Sequence, residues 1–276
     1  MSERSGAIDE RAARRAFERA ARSYAEAAKL EAEVGERMLG RLDYVKLAPR
    51  RILDAGSGPS REAAALERRY RGAQLIALDY AHAMLPRAGR LQRWLGGGAL
   101  AVCADMSRMP FAAQSVELLW CNMALHWLAE PLAAMREFER VLAPEGLLMF
   151  STLGPDTLKE LRAAAGSTRV HAFTDMHDWG DMLVAAGLQA PVIDMEMIAV
   201  QYGEGARLLD DLRRSGQTNA RADRARSLAG RKFGDALRRG LGAEQRASYE
   251  VVYGHAWKRA RVSSEVKTVR VFKRFS

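Results

Sequence analysis

The sequence predicts a doubly wound α/β fold: a seven-stranded, mostly parallel sheet, an N-terminal helix, and a helical lid inserted before the last strand. Three observations predict it. Short apolar runs alternate with amphipathic stretches from residue 51 to residue 152, and such alternation requires a parallel sheet with helices on both faces. The run Arg51-Ile52-Leu53-Asp54-Ala55 opens directly onto Gly56-Ser57-Gly58. A glycine turn there lets a ligand lie against bare backbone, because no Cβ holds it off. Finally, three of the apolar runs end in a carboxylate at one sheet edge: Asp54, Asp79 and Asp105.

Residues 9–45 read as one helix, with Phe17, Ala20, Ala21, Tyr24 and Ala28 on one face and Arg and Glu opposite. Pro49 ends it. Strand 51–55, helix 60–70, strand 74–79, helix 82–94 and strand 99–104 follow, then a loop holding Pro110. Strand 116–122 leads to helix 131–142. The turn Ala143-Pro144-Glu145-Gly146 then opens strand 146–152. Helices 155–165 and 175–187 come next, with Gly187 as a stop. Residues 191–202 alternate as a sixth strand, 204–241 read as basic helix, and 248–258 as the last strand. The insertion of about 45 residues between the last two strands is larger than a hairpin needs, which suits a lid. The expected division is 1–48 as a helical cap, 49–203 as the ligand-binding core, 204–247 as the lid, and 248–276 as last strand and basic tail.

At 276 residues and 48% apolar content the chain has material for a sizeable core. No apolar run reaches the roughly 18 residues of a bilayer-spanning helix. Met1 to Arg22 is charged throughout and has no apolar signal core, so the expectation is a cytoplasmic protein. Cys103 and Cys121 fall in predicted buried strands, as structural thiols of a reducing compartment, and two such residues make no metal site. The net charge of +9 is uneven: residues 201–276 hold 18 basic and 8 acidic side chains, residues 101–200 only 6 and 13. A basic end attracts nucleic acid, a membrane surface or an acidic protein; the alternative is an Arg-rich solvated surface. No Asn/Asp-Pro-Pro-Tyr motif and no aromatic-basic interleaved run occurs, so nucleic acid is not the expected partner, and no membrane is expected either.

The glycine turn narrows the ligand. A dinucleotide site wants a third glycine where Arg61 stands. An acid two residues before the first glycine instead resembles the class I S-adenosylmethionine-dependent methyltransferases, a Rossmann-like family, over residues 51–152. In such a site Asp79, with Tyr80 beside it, accepts hydrogen bonds from both ribose hydroxyls. Asp105 and Met106 meet the adenine. Asp54, Ala55, Gly56, Ser57 and Gly58 form the methionine end, and Asn122 stands near the sulfonium. Each acid taken singly could instead merely cap the following helix, but three together at this spacing argue against that reading.

Segments outside that core resemble a narrower family. They are Phe17-Glu18-Arg19-Ala20-Ala21-Arg22-Ser23-Tyr24, Asn122-Met123-Ala124-Leu125-His126-Trp127, Phe150-Ser151-Thr152-Leu153-Gly154-Pro155-Asp156-Thr157-Leu158, Met176-His177-Asp178-Trp179-Gly180-Asp181, Pro191-Val192-Ile193-Asp194-Met195-Glu196 and Tyr249-Glu250-Val251-Val252-Tyr253-Gly254-His255-Ala256-Trp257. Together they are similar to the malonyl-acyl-carrier-protein O-methyltransferases of biotin synthesis. The turn departs from that family by ending in Pro59-Ser60, with Ser60 still able to cap the next helix, and Ala25 follows Tyr24 where the family has Asp.

The resemblance implies esterification of the free carboxylate of malonyl-acyl-carrier protein (or malonyl-CoA), with S-adenosylhomocysteine as product and no metal. A carboxylate of pKa near 4 is already ionised at neutral pH, so no catalytic acid or base is required. Alignment and removal of water remain as the protein's contributions. Candidate acceptor-positioning residues are Tyr24, His126, Arg207 and Arg213, while Trp127 and Trp257 read as packing. Three other readings stay open: a different small acid or quinone-like acceptor, a nucleic-acid-directed enzyme, or a carrier-binding protein with the fold and little activity.

Overall fold

Ile52 and Leu53 point to opposite faces of their strand, and both are buried. The same holds for Leu118 and Leu119, Trp120 and Cys121, and Leu147 and Leu148. Strands buried on both sides lie in the middle of a layered α/β structure. The computed structural model, which describes residues 7–86, 98–224, 230–241 and 245–260, has this form. Seven strands make one sheet: β1 (Arg51–Ala55), β2 (Gln74–Asp79), β3 (Leu100–Cys103), β4 (Val116–Cys121), β5 (Leu142–Leu153), β6 (Gln189–Tyr202) and β7 (Gln245–Trp257). Their order is β3-β2-β1-β4-β5-β7-β6. The first five pair in parallel. β7 runs antiparallel to both β5 and β6.

The helices are α1 (Glu10–Ala20), α2 (Tyr24–Ala27), α3 (Lys29–Arg41), α4 (Ala63–Arg69), α5 (Pro131–Val141), α6 (Lys159–Ala165), α7 (Met176–Ala185), α8 (Gly205–Arg214) and α9 (Arg231–Leu241). On one face Phe138 of α5 and Trp179 and Leu183 of α7 pack with Leu53, Leu119, Leu148 and Phe150. On the other, Val34 and Met38 of α3 and Leu208 of α8 pack with Ile52, Leu118, Trp120 and Met149. β1 is flanked by β2 on one side and β4 on the other, so chain direction across the sheet reverses there. In doubly wound sheets the crevice outside the carboxyl ends at that point is where ligands bind. Among the described residues no helix is long and apolar enough to cross a membrane.

Several expectations are corrected. The 9–45 helix is three helices, because Ser23 Oγ donates to Ala20 O and, across 191 positions, to Arg214 O. That bend turns Tyr24 toward the glycine turn. Ser60 does not cap α4: it sits at φ 54° and donates to Asp54 Oδ2 instead, leaving Glu62 at the cap position. Cys103 is exposed, since β3 is an outer strand, whereas Cys121 is buried. Residues 143–146 do not separate helix from strand. Strand pairing begins at Leu142, and Glu145 at φ 62° marks a bulge where the register shifts. Residues 204–241 are not continuous helix, because the described residues 215–224 between α8 and α9 are non-helical. The expected helix 82–94 is a single turn at His82–Met84; its remainder from 87 lies outside the described residues, as does the tail from 261.

Candidate active site

The site is built on the bend after β1. Gly56 N and Ser57 N both donate to Leu78 O, at 2.8 and 3.0 Å, which ties the bend to the end of β2. Asp79 completes it. Its Oδ2 accepts from Gly58 N at 2.9 Å and its Oδ1 from Ala81 N at 2.7 Å. Burial pushes Asp79 up to about 6, against the pull of those two N–H groups, so it is ionised at neutral pH. Gly56 has φ 73°, and a Cβ on it would lie 2.4 Å from Ala124 Cβ. Only glycine fits there.

Facing the bend is a cavity enclosing about 50 Å³, lined by Gly56, Gly58, Asp79, Tyr80, Asp105 and Met106 from the sheet edge. Phe17 of α1, Tyr24 of α2 and Trp127 close it from above. The rings of Phe17 and Trp127 meet edge-on at 5.0 Å.

The residues present fit a nucleoside without phosphate. Bare backbone at Gly56 and Gly58 forms the cradle, and Tyr80 has a buried hydroxyl with no partner among the described residues. Asp54, Glu31 and Glu62 lie buried close to the bend. Desolvation raises all three, and the charge of Glu62 adds to the rise at Asp54. A cationic ligand beside them would offset that rise and favour their charged forms, whereas pyrophosphate would add to it.

A second cavity, of about 350 Å³, lies on the other side of Trp127, which lines both. His126, His171 and Phe173 form an aromatic wall, with His171 4.7 Å from the Trp127 ring and His126 5.7 Å from Phe173. Leu209, Leu212 and Arg213 of α8 and Phe233 and Leu237 of α9 close the far side. Desolvation pushes His126 down to about 3 and His171 to about 4. Both imidazoles are therefore neutral, and His171 Nε2 accepts from Ala220 N at 2.9 Å. The N-terminal segment and the stretch after α8 are joined beside these cavities: Ile8 bridges Arg221, and Arg224 pairs with Asp9 at 3.0 Å.

The expected residues divide accordingly. Gly56, Gly58, Asp79, Tyr80, Asp105, Met106 and Tyr24 line the first cavity; His126 and Arg213 line the second. Asp54, Ala55 and Ser57 are buried behind the bend, off the cavity wall. Asn122 is not in the cavity either: it donates to Glu31 O and Glu62 Oε1 and accepts from Ser151 Oγ, a strut between sheet and α3. Arg207 is solvent-facing beside Glu204 and touches neither cavity. Trp127, read as packing, is the partition between the cavities. Arg169, His171 and Phe173 carried no motif and were missed.

Glu31 allows one prediction here. It is buried, accepts from Gln217 Nε2, and is raised by desolvation from 4.5 to about 7. A carboxyl whose folded pKa is raised holds extra protons in the folded state between those values, so its contribution to stability is lost as pH rises from about 4.5 to 7. Glu31→Gln keeps an acceptor for Gln217 and removes that dependence. Urea unfolding of the ligand-free chain is expected to show the variant gaining on wild type between pH 5 and pH 8, by up to about 3 kcal/mol. Parallel pH profiles for the two proteins would refute it.

Comparison with known proteins agrees with this geometry. The family pattern described as a methyltransferase domain matches residues 53–150. The YcgJ protein of Bacillus subtilis shares the fold, with a TM-score of 0.59 at 18% identity over 82% of this chain and 100% of that one. The malonyl-[acyl-carrier protein] O-methyltransferase of Laribacter hongkongensis is 45% identical over 91% of this chain and 90% of its own. That of Methylovorus sp. is 49% identical over 93% of this chain and 92% of its own length. With identity at that level over nine-tenths or more of both chains, the chain belongs to the malonyl-[acyl-carrier protein] O-methyltransferase family.

Proposed function

We propose that this chain methylates the free carboxylate of a malonyl group carried on acyl carrier protein, using S-adenosylmethionine, as an early step of biotin synthesis in the cytoplasm. One observation carries the reading: a carboxylate-rimmed nucleoside cradle and an acid-free cavity bearing arginine meet at a single side chain, Trp127. Asp79 and Tyr80 would hold the ribose, Asp105 and Met106 the adenine, and the Gly56–Gly58 backbone the amino-acid end. Bound there, S-adenosylmethionine supplies an electrophilic methyl group on a sulfonium sulfur.

The chain's own part is alignment and exclusion of water. His126 and His171 are neutral and add no competing positive charge. Tyr24, Phe17 and Trp127 cover the reacting region with rings. The nucleophile arrives ionised, so no proton has to be removed. Residues 1–48 act as cap and 204–247 as lid in this reading, supported by the bonds that join Ile8 to Arg221 and Ser23 to Arg214.

The carrier is read as docking on α8 and α9, which wall the second cavity with Leu212 and Leu237 and carry Arg213, Arg214 and Arg239 on exposed or partly exposed positions. Labelled methyl transfer is expected to malonyl-carrier protein and malonyl-CoA, with free malonate far poorer. Charge reversal at Arg239, which lines neither cavity, is expected to raise the KM for the carrier substrate and flatten its salt dependence, with a smaller effect on malonyl-CoA. Equal transfer to free malonate would remove the carrier from the reading.

A further inference from the structure

The second cavity is lined by eighteen residues, of which two are arginines and none is a carboxylate. The two guanidinium groups are not alike. Arg213 has a side chain 72% exposed and lies 3.7 Å from Asp210 on its own helix, so its charge is shared and screened by water. Arg169 is half-buried, at the end of the short turn Ser167–Arg169, two residues from His171 on the aromatic wall. Its guanidinium carbon lies 4.3 Å above the ring of Phe233, from α9. Stacking of that kind holds a guanidinium flat and leaves its edge donors free for a planar anion. The turn is also anchored: Asn219 Nδ2 donates to Thr168 O at 2.9 Å, and Arg169 N donates to Gly166 O at 3.1 Å.

We propose that Arg169 is the residue that recognises the free carboxylate of the acceptor, and that esterification releases the product by removing the charge it holds. The proposal rests on the reading of the second cavity as the acceptor site. A carboxylate in a cavity walled mainly by apolar and aromatic side chains, with both histidines neutral, needs a paired cation and a hydrogen bond. Arg169 offers both in bidentate form. Once the anionic oxygen carries a methyl group, the ester is neutral and the fork-to-fork pair is gone. An acetyl thioester lacks the carboxylate from the start, so it reports the same loss without any chemistry.

The test measures binding of malonyl-carrier and acetyl-carrier proteins to the full chain, with methyl-transfer kinetics alongside. Wild type is expected to prefer the malonyl form about 10-fold or more. Arg169→Gln is expected to bring the two affinities together and to raise the KM for malonyl-carrier about 10- to 100-fold, while its affinity for S-adenosylmethionine stays that of wild type. Arg169→Lys restores part of the preference, as a point charge without the fork. Arg50→Gln, exposed at the amino end of β1 and lining neither cavity, changes none of these. If wild type transfers methyl to malonyl-carrier and Arg169→Gln keeps both the preference and the KM, the assignment to Arg169 is overturned and the function stands. If wild type transfers nothing to malonyl-carrier, the functional reading falls first and takes the assignment with it.

Discussion

Asp79→Asn is expected to lower the affinity for S-adenosylmethionine by roughly 100-fold or more, with the overall fold retained. The reason is that this carboxylate serves the protein and the ligand together. Its two oxygens accept from Gly58 N and Ala81 N, which shapes the bend, and it lines the cavity against which the ribose would lie. An amide supplies one oxygen and one NH₂ group. Whichever way it turns, one backbone N–H faces another donor, and one acceptor for the ribose is lost. One ribose bond to a charged group is worth about 1.5–3 kcal/mol, roughly 10- to 150-fold, and distortion of the bend carries the expected effect to the upper end. The pH dependence gives a second readout. Asp79 sits at about 6, so wild-type affinity is expected to hold above that value and to fall as pH drops through it, while the asparagine variant has no such step. Titration calorimetry across pH 5 to 8 checks both. Unchanged affinity at pH 7.5 would remove Asp79 from the site.

Gly56→Ala is expected to cost about 3 kcal/mol of stability and to abolish methyl transfer. Two separate effects add. At φ 73° any L side chain is strained, by about 1–3 kcal/mol. The new Cβ would also stand 2.4 Å from Ala124 Cβ and 3.0 Å from Met106 Cε. The methionine can swing aside, but the alanine Cβ moves only with its backbone. That backbone leads directly into His126 and Trp127, so relief of the clash shifts the wall between the cavities. Overpacking adds about 1–3 kcal/mol more. Gly40→Ala is the contrast: nothing lies within 4 Å of its added Cβ, and in a helix alanine is favoured over glycine by roughly 1 kcal/mol. Opposite signs of the change in thermal midpoint are expected for the two variants. A Gly56→Ala protein with wild-type midpoint and activity would show that the bend tolerates a side chain.

The legible and illegible parts of this molecule differ in the range of the interactions behind them. Ile52-Leu53-Asp54 followed by Gly56 is legible because strand periodicity and the need for positive φ act within a few residues. Asp79 is legible for the same reason, as the last residue of the next apolar run. Asn122 shows where that kind of reading fails. Its place at the tip of β4 is right, but Glu31 and Glu62, 91 and 60 positions away, bind its amide and draw it off the cavity. Ser60 fails likewise, since its hydroxyl meets Asp54 rather than the start of α4. The break at Ser23 depends on a carbonyl in α8, which nothing local announces.

The arginines make the division sharpest. Arg207 and Arg213 stand in the basic stretch before the last strand, yet Arg207 faces water and Arg213 pairs with Asp210. Arg169 lies in a stretch without motif or periodicity, and becomes the cavity's half-buried cation only because α9 folds back to lay Phe233 against it. The sequence alone determined the sheet, the bend and the acids at its strand tips, because those follow from side-chain alternation and local backbone conformation. Only the tertiary structure decided which cation and which rings face the acceptor cavity, because that depends on segments far apart in the chain packing against one another.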